Sequence, residues 1–156
     1  RVWELSTGKT LFELCGHGNW VNAVAVYDDG RKAITASVDR SARLWDLRNG
    51  HCFATLQGHT SLVASVAVNP EGTRALTVSS DKSARLWSLE DGVRMYGTGH
   101  HRGEVEAVAV LPDGERCVSV GHDGVARLWD CATGCPSRIS LDSPEWGAEG
   151  PPAMRC

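Results

Sequence analysis

The chain has 156 residues, which is long enough to bury a hydrophobic core. Its formal net charge is −3 and its lysines and arginines are spread along the chain, which argues against strong attraction to nucleic acid or to an anionic membrane surface. No apolar run reaches the roughly 18 residues of a membrane-spanning helix. The six cysteines form no C-x-x-C pair, which favours a reducing compartment, the cytoplasm or alternatively the nucleus.

A tryptophan recurs every 42 residues along the chain. Trp3, Trp45, Trp87 and Trp129 share this spacing, and the last three each end the tetrapeptide Ala-Arg-Leu-Trp. A fixed period of this length is typical of repeat architectures, in which similar units stack on one another.

The first complete unit shows the order of elements that the others repeat. Alternating apolar residues at 21–26 predict a first strand, and a turn at 28–30 ends in glycine. A second strand is predicted at 33–37, a third at 42–45 and a fourth at 52–56. The same order returns 42 and 84 residues later, and no segment shows a helical apolar stripe of helix length.

Four short antiparallel strands per unit are typical of a β-propeller blade, which buries its faces only by stacking on neighbouring blades. We therefore predict an all-β fold, an incomplete β-propeller made of four-stranded antiparallel blades. The predicted divisions are a partial blade at 1–15, three blades at 16–56, 57–98 and 99–141, and a disordered C-terminal tail at 142–156.

The repeat resembles that of the WD-repeat family. Gly-His stands at 16–17 and 58–59, and Trp-Asp stands at 45–46 and 129–130. Residues 99–101 have the sequence Gly-His-His, in which the first histidine keeps the glycine neighbour and the second keeps the period. Which of the two takes the family position stays open.

The resemblance implies a structural hydrogen-bond relay inside each blade. Its histidine, serine, aspartate and tryptophan have complementary donors and acceptors. The implied members are His17, Ser37, Asp39 and Trp45; His59, Ser79, Asp81 and Trp87; and His101, Asp123 and Trp129. Gly121 stands where the third blade would need its serine, so we expect that blade to be the least firmly locked.

The sequence predicts no enzyme, and no catalytic, cofactor-binding or metal-binding residues. A His–Asp–Ser set also occurs in hydrolases, but here it returns with every blade and includes a tryptophan that no nucleophile needs. The glycines stand singly in turns and form no phosphate loop. Cys131 and Cys135 lack partners at zinc spacing.

The resemblance also places a partner-binding surface where the first strand of each blade begins and the turn between the second and third strands emerges. Residues that differ between blades are informative here, because shared residues serve the fold. The implied positions are Trp20, Asn22 and Val38; Leu62, Ala64 and Ser80; and Glu104, Glu106 and His122.

Three of these positions carry specific expectations. Trp20 is the candidate anchor, since aromatic residues dominate interface hot spots, and packing against the loop after His17 is the alternative. Glu104 and Glu106 suit a partner that carries lysine or arginine. For His122 the alternative is a solvated turn residue.

Residues 45–48, Trp-Asp-Leu-Arg, are similar to the box by which some WD-repeat proteins dock a cullin-ligase adaptor. Ala42 departs from that box, which has a larger aliphatic residue there, and the alternative for Arg48 is an ordinary surface residue. We predict a non-catalytic scaffold for protein–protein interactions within a larger multidomain regulatory protein. The alternative function is the substrate receptor of a cullin-type ubiquitin ligase.

The expected partners follow from the same resemblance. They are other proteins or peptides, and we expect neither nucleic acid nor a membrane as a partner. The remaining blades of a longer parent propeller are also expected, since propellers close with about four to eight blades. Two copies that assemble into one ring are the alternative to a longer parent.

Overall fold

The structure is a computed structural model that describes residues 1–90 and 94–135, with side chains at 1–90 and 101–135. All of the regular secondary structure in these residues is β-strand, which confirms the predicted fold class. They contain no helix long and apolar enough to cross a membrane. The tail predicted at 142–156, and the end of the third predicted blade, lie outside the described residues.

The strands follow one another in short, closely spaced segments. They are β1 (Val2–Trp3), β2 (Thr10–Phe12), β3 (Val21–Tyr27), β4 (Lys32–Ser37), β5 (Ala42–Asp46), β6 (His51–Leu56), β7 (Val63–Val68), β8 (Arg74–Ser79), β9 (Ser83–Ser88), β10 (Arg94–His100), β11 (Val105–Val110), β12 (Arg116–Gly121) and β13 (Ala126–Asp130).

These strands form four antiparallel sheets in which each strand pairs with the next along the chain. The first sheet, β1–β2, is the half-blade. The first blade is β3–β6 and the second blade is β7–β10, each with four strands, and the third blade is the three-stranded sheet β11–β13. The division of the chain at the predicted blade boundaries stays a prediction.

A shared irregularity marks the start of the first strand in each blade. The pairing register shifts between Val21 and Ala23 in β3, and equivalent shifts occur in β7 and β11. A β-bulge re-aims the side chains beside it. The residues at the start of β3, β7 and β11 therefore leave the regular alternation at the same place in every blade.

The hydrophobic core lies between blades, not within one sheet. Ile34 and Leu44 of the first blade pack in one cluster with Val63 and Val66 of β7. A second cluster joins the second and third blades in the same way, and each buries its central side chains to less than 10% exposure. A blade is therefore held by its neighbours, as expected for stacked repeats.

Candidate functional site

The relay of the first blade links two strands, a turn and a loop. The Nδ1 atom of His17 lies 2.7 Å from a carboxylate oxygen of Asp39, and its Nε2 atom lies 2.7 Å from the hydroxyl of Thr35. The indole N–H of Trp45 donates to the same hydroxyl at 2.8 Å. The turn between β4 and β5 presents Asp39, so the relay ties that turn to the loop before β3 and to β5.

The hydroxyl in this relay belongs to Thr35, so the prediction that Ser37 supplies it is wrong. Ser37 instead accepts a hydrogen bond from the Asp39 amide at 3.1 Å and donates to the Asn19 carbonyl at 3.3 Å. It thus supports the turn that carries the aspartate.

The second blade repeats this arrangement, and Ser79 is corrected in the same way. The Thr77 hydroxyl lies 2.8 Å from His59 Nε2 and accepts from Trp87 Nε1 at 2.8 Å, while His59 Nδ1 lies 2.8 Å from Asp81. Ser79 accepts from the Asp81 amide at 3.1 Å.

The third blade has a complete relay, contrary to the expectation based on Gly121. Ser119 lies 2.8 Å from His101 Nε2 and accepts from Trp129 Nε1 at 2.8 Å. His101 is also bonded to Asp123, at 3.0 Å, so the histidine that keeps the period is the relay member. The hydroxyls at 35, 77 and 119 share the 42-residue spacing, and this regularity could have identified them from the sequence.

What distinguishes the third blade is the partner of its aspartate. In the first blade the Ser41 hydroxyl donates to Asp39 at 2.6 Å. Val125 stands at the equivalent position of the third blade and has no hydroxyl, and Arg127 Nη1 donates to Asp123 at 2.7 Å instead. A guanidinium thus replaces a hydroxyl beside the same carboxylate.

The relay aspartates are held in the ionised form. Burial opposes ionisation of Asp39, but hydrogen bonds from Ser41, His17 and the Gly18 amide outweigh it and hold its pKa well below the ordinary value. The same balance lowers the pKa of Asp81 to about 2, with Ser83, Thr60 and His59 as donors. An ionised carboxylate that accepts several hydrogen bonds anchors its turn firmly.

The burial of the relay hydroxyls argues for a structural role. Thr77 and Ser119 are 0% exposed and Thr35 is 6% exposed, and each accepts a hydrogen bond from a tryptophan indole. A nucleophile has to reach its substrate, and these hydroxyls are enclosed by the blade. The described residues also contain no group of three or more metal-ligating side chains.

The predicted partner-binding positions come together as one surface, which we call the rim. In each blade a backbone hydrogen bond joins the start of the first strand to the turn between the second and third strands. These bonds run from Val38 N to Trp20 O at 2.9 Å, from Ser80 N to Leu62 O at 3.2 Å, and from His122 N to Glu104 O at 2.8 Å. The rim comprises these six residues with Asn22, Ala64 and Glu106.

Hydrogen bonds also connect the rim from one blade to the next. Asn22 Nδ2 donates to the Val63 carbonyl at 3.0 Å, across the first and second blades. The Ser80 hydroxyl donates to Glu104 at 2.9 Å, across the second and third blades. The rim is therefore one continuous surface over the three blades.

The exposure of the rim residues differs between blades. Trp20 is 81% exposed, which contradicts the alternative that it packs against the loop after His17. Leu62 is half-buried, whereas Glu104 and Glu106 are exposed. His122 Nε2 lies 2.6 Å from Glu106, so the histidine is an exposed member of this acidic end. Whether these residues bind a partner stays a prediction.

Arg48 lies apart from the rim, at the opposite end of the first blade. It follows β5, and its guanidinium donates to Asp46 through Nη2 at 2.6 Å and through Nε at 2.9 Å. The side chain is 69% exposed, in agreement with a surface position. The structure therefore does not bring Arg48 together with the other predicted partner-binding residues.

Comparison with known proteins decides the family. The sequence matches the family described as "WD domain, G-beta repeat" at residues 8–46, 50–88 and 93–130, which together make up more than half of the chain. The chain belongs to the WD-repeat family. WD-repeat domains in general are non-catalytic scaffolds that bind other proteins.

One curated WD-repeat relative covers a single stretch of the chain. Lissencephaly-1 homolog 1 of Paramecium tetraurelia is 39% identical over 44 residues, which is 28% of this chain. That match spans only 11% of the relative's own length. The similarity therefore concerns little more than one repeat.

Proposed function

We propose that this WD-repeat protein is a non-catalytic scaffold that binds a protein or peptide through the rim, as part of a larger regulatory protein. The observation that carries the proposal is the exposure of Trp20 to 81% on a surface continuous over three blades. An aromatic side chain of this size that is left in water is typical of an interface anchor.

The charge of the rim indicates the chemistry of the partner. Glu104 directly precedes β11 and Glu106 is its second residue, and His122 is bonded to Glu106. Carboxylates at a binding surface attract a cationic partner and raise its association rate. We therefore infer a partner that places an apolar group on Trp20 and lysine or arginine side chains on the two glutamates.

A library of random peptides displayed on phage tests this proposal. We expect peptides enriched on the immobilised protein to carry lysine or arginine beside an apolar residue. Fluorescence anisotropy with a synthetic enriched peptide then measures Kd for each variant. Trp20→Ala should raise Kd about 30-fold, which corresponds to a hot spot of about 2 kcal/mol.

The charged positions have a matched control. The double change Glu104→Gln and Glu106→Gln should weaken binding and reduce its dependence on salt. Glu115→Gln, an exposed glutamate at the opposite end of the third blade, should leave both unchanged. If enriched peptides bind the rim variants as tightly as the wild type, the rim is not the surface that binds them.

Arg48→Ala tests the alternative function, the substrate receptor of a cullin-type ubiquitin ligase. Arg48 is exposed at the opposite end from the rim, so this variant should bind peptides as the wild type does. A pull-down in which the wild type and the rim variants retain a cullin adaptor, and Arg48→Ala loses it, would support the alternative. The cytoplasmic localisation stays a prediction.

A further inference from the structure

The acidic end of the rim contains a residue that changes its charge near neutral pH. His122 is the only histidine in the rim, whose residues are all described. The equivalent positions of the first two blades are Val38 and Ser80, which have no charge to gain or lose in this range. A histidine side chain takes up a proton, and with it a positive charge, between pH of about 8 and about 5. The third blade therefore gives the rim a charge that depends on pH.

The two carboxylates of this end have different kinds of partner. The Ser80 hydroxyl of the second blade donates to Glu104 at 2.9 Å. A hydroxyl carries no charge, so it leaves the negative charge of Glu104 uncompensated. Glu106 Oε1 instead lies 2.6 Å from Nε2 of His122. The charge next to Glu106 is therefore decided by the protonation of one imidazole.

Backbone contacts on two sides position the turn that carries this imidazole. The amide of His122 donates to the Glu104 carbonyl at 2.8 Å. The loop before β11 approaches the same turn closely, because a Cβ at Gly103 would lie 3.2 Å from Cβ of His122 and 2.7 Å from the amide nitrogen of Asp123. The placement of His122 next to Glu106 thus follows from how the turn, the loop and β11 pack together.

The other charged groups around His122 belong to a relay or carry a fixed positive charge. They are Asp123, His101 and Arg127 of the third relay, Arg102 of the loop before β11, and Asp81 and Lys82 of the turn between β8 and β9. The side chain of His101 is 0% exposed and is bonded to Asp123, whereas the side chain of His122 is 56% exposed. His122 is therefore the histidine of this end that exchanges protons directly with solvent.

We propose that protonation of His122 controls the affinity of the rim for its cationic partner. This inference rests on the proposed function and adds the regulation of the same site. When the imidazole is neutral, a lysine or arginine of the partner meets the uncompensated carboxylates of Glu104 and Glu106. When the imidazole is protonated, Glu106 already has a positive group 2.6 Å away, which also repels the incoming cation. Proton and partner compete, so acidification releases the partner.

The surface position of the pair sets the size of the effect. The side chains of His122 and Glu106 are 56% and 64% exposed, so water and salt screen their interaction. A single ion pair in this setting changes an equilibrium by up to about fivefold. We therefore expect a graded loss of affinity on acidification, not an all-or-none switch.

Affinity at two pH values tests the proposal. The probe is the enriched peptide with lysine or arginine beside an apolar residue, labelled for fluorescence anisotropy. For the wild type, Kd should rise about fivefold from pH of about 7.5 to about 5.5. His122→Gln keeps a polar side chain that stays neutral, so it should bind like the wild type at the higher pH and lose most of the rise. His51→Gln is the matched control, an exposed histidine opposite Asp46 and away from the rim, and should keep the rise.

The charge of the peptide is tested in the same assay. A peptide whose lysine or arginine is replaced by glutamine should bind more weakly, and its Kd should not rise on acidification. Circular dichroism at both pH values checks that the wild type and each variant stay folded.

Three results would overturn the proposal. They are a wild-type Kd that does not change with pH, an equal rise in the wild type and His122→Gln, and an equal rise with the glutamine peptide. If Trp20→Ala still weakens binding in these cases, the proposed function stands and only the regulation is wrong. If no peptide is enriched, or if the rim variants bind as tightly as the wild type, the proposed function fails and the regulation fails with it.

Discussion

At the scale of single residues, one hydroxyl is the centre of the relay. The Trp45 indole N–H donates to Thr35, whose hydroxyl oxygen also lies 2.7 Å from Nε2 of His17. Nδ1 of His17 lies 2.7 Å from a carboxylate oxygen of Asp39. Removal of the central hydroxyl would therefore take a hydrogen-bond partner from both Trp45 and His17.

Thr77→Val should therefore destabilise the protein more than Ser79→Ala. The valine keeps the shape of the side chain but removes the hydroxyl that accepts from Trp87 Nε1 and lies 2.8 Å from His59 Nε2, and the loss of a buried hydrogen bond costs roughly 1–3 kcal/mol. Ser79 makes two longer bonds, so we expect a loss of about 1 kcal/mol. Urea unfolding measures both, and an equal or reversed order would assign the relay hydroxyl to Ser79.

The aspartates make stability depend on acid. The folded-state pKa of Asp81 is about 2, below the ordinary value of 3.8, so its ionised form stabilises the fold above pH of about 4. We expect about 2 kcal/mol of unfolding free energy to be lost as the pH falls from about 4 to about 2. The Asp81→Asn variant should be less stable at neutral pH, and its free energy of unfolding should change less between pH of about 4 and about 2. If that free energy falls with pH as steeply in the variant as in the wild type, Asp81 is not the cause.

At the scale of elements, the Gly-His pair lets strand and loop approach closely. Gly16 has φ +148°, and a Cβ there would lie 2.5 Å from Nη1 of Arg43 on β5. Gly58 has φ +145°, and a Cβ would lie 2.8 Å from Nη1 of Arg85 on β9. Glycine is thus favoured by the backbone conformation, and a side chain there would also have to displace the guanidinium of the repeated Ala-Arg-Leu-Trp.

The close approach of β11 to β12 means that Gly121, expected from the sequence to weaken the third blade, is needed at its position. A Cβ at Gly121 would lie 2.5 Å from the Glu104 carbonyl, which is backbone and cannot easily move. Gly121→Ser should therefore lower the free energy of unfolding, by about 1–3 kcal/mol. Thermal unfolding of the variant and the wild type measures the change. Gly124→Ala is a comparison in which a side chain meets no atom within 4 Å, so it shows the effect of backbone strain without a steric clash. A stabilising serine would contradict this account.

At the scale of the whole molecule, stability is shared between blade interfaces. Within the described residues, the second blade is covered on both sides, whereas the first and third blades each pack against one neighbouring blade. In stacked repeats the interface between neighbours supplies much of the stability. The valines of β3 and Val120 of β12 lie on the two sides that no described blade covers, which accounts for their exposure.

The sequence by itself determined the all-β class, the strand order and three of the four relay members. A 42-residue period of alternating apolar residues and turn glycines is compatible with few architectures. The histidine, aspartate and tryptophan each have one candidate per period in the first two blades. The rim positions were implied by the resemblance to the WD-repeat family, and the differences between repeats at these positions made them informative.

Only the tertiary structure decided which hydroxyl completes the relay and which valines are buried. Thr35 and Ser37 lie two residues apart on the same face of β4, and the path of the loop that carries His17 selects Thr35. Val24 and Val66 occupy the same position of the repeat, yet one is 62% and the other 7% exposed. The difference is the neighbouring blade, because burial depends on what packs against a residue and not on its place in the repeat.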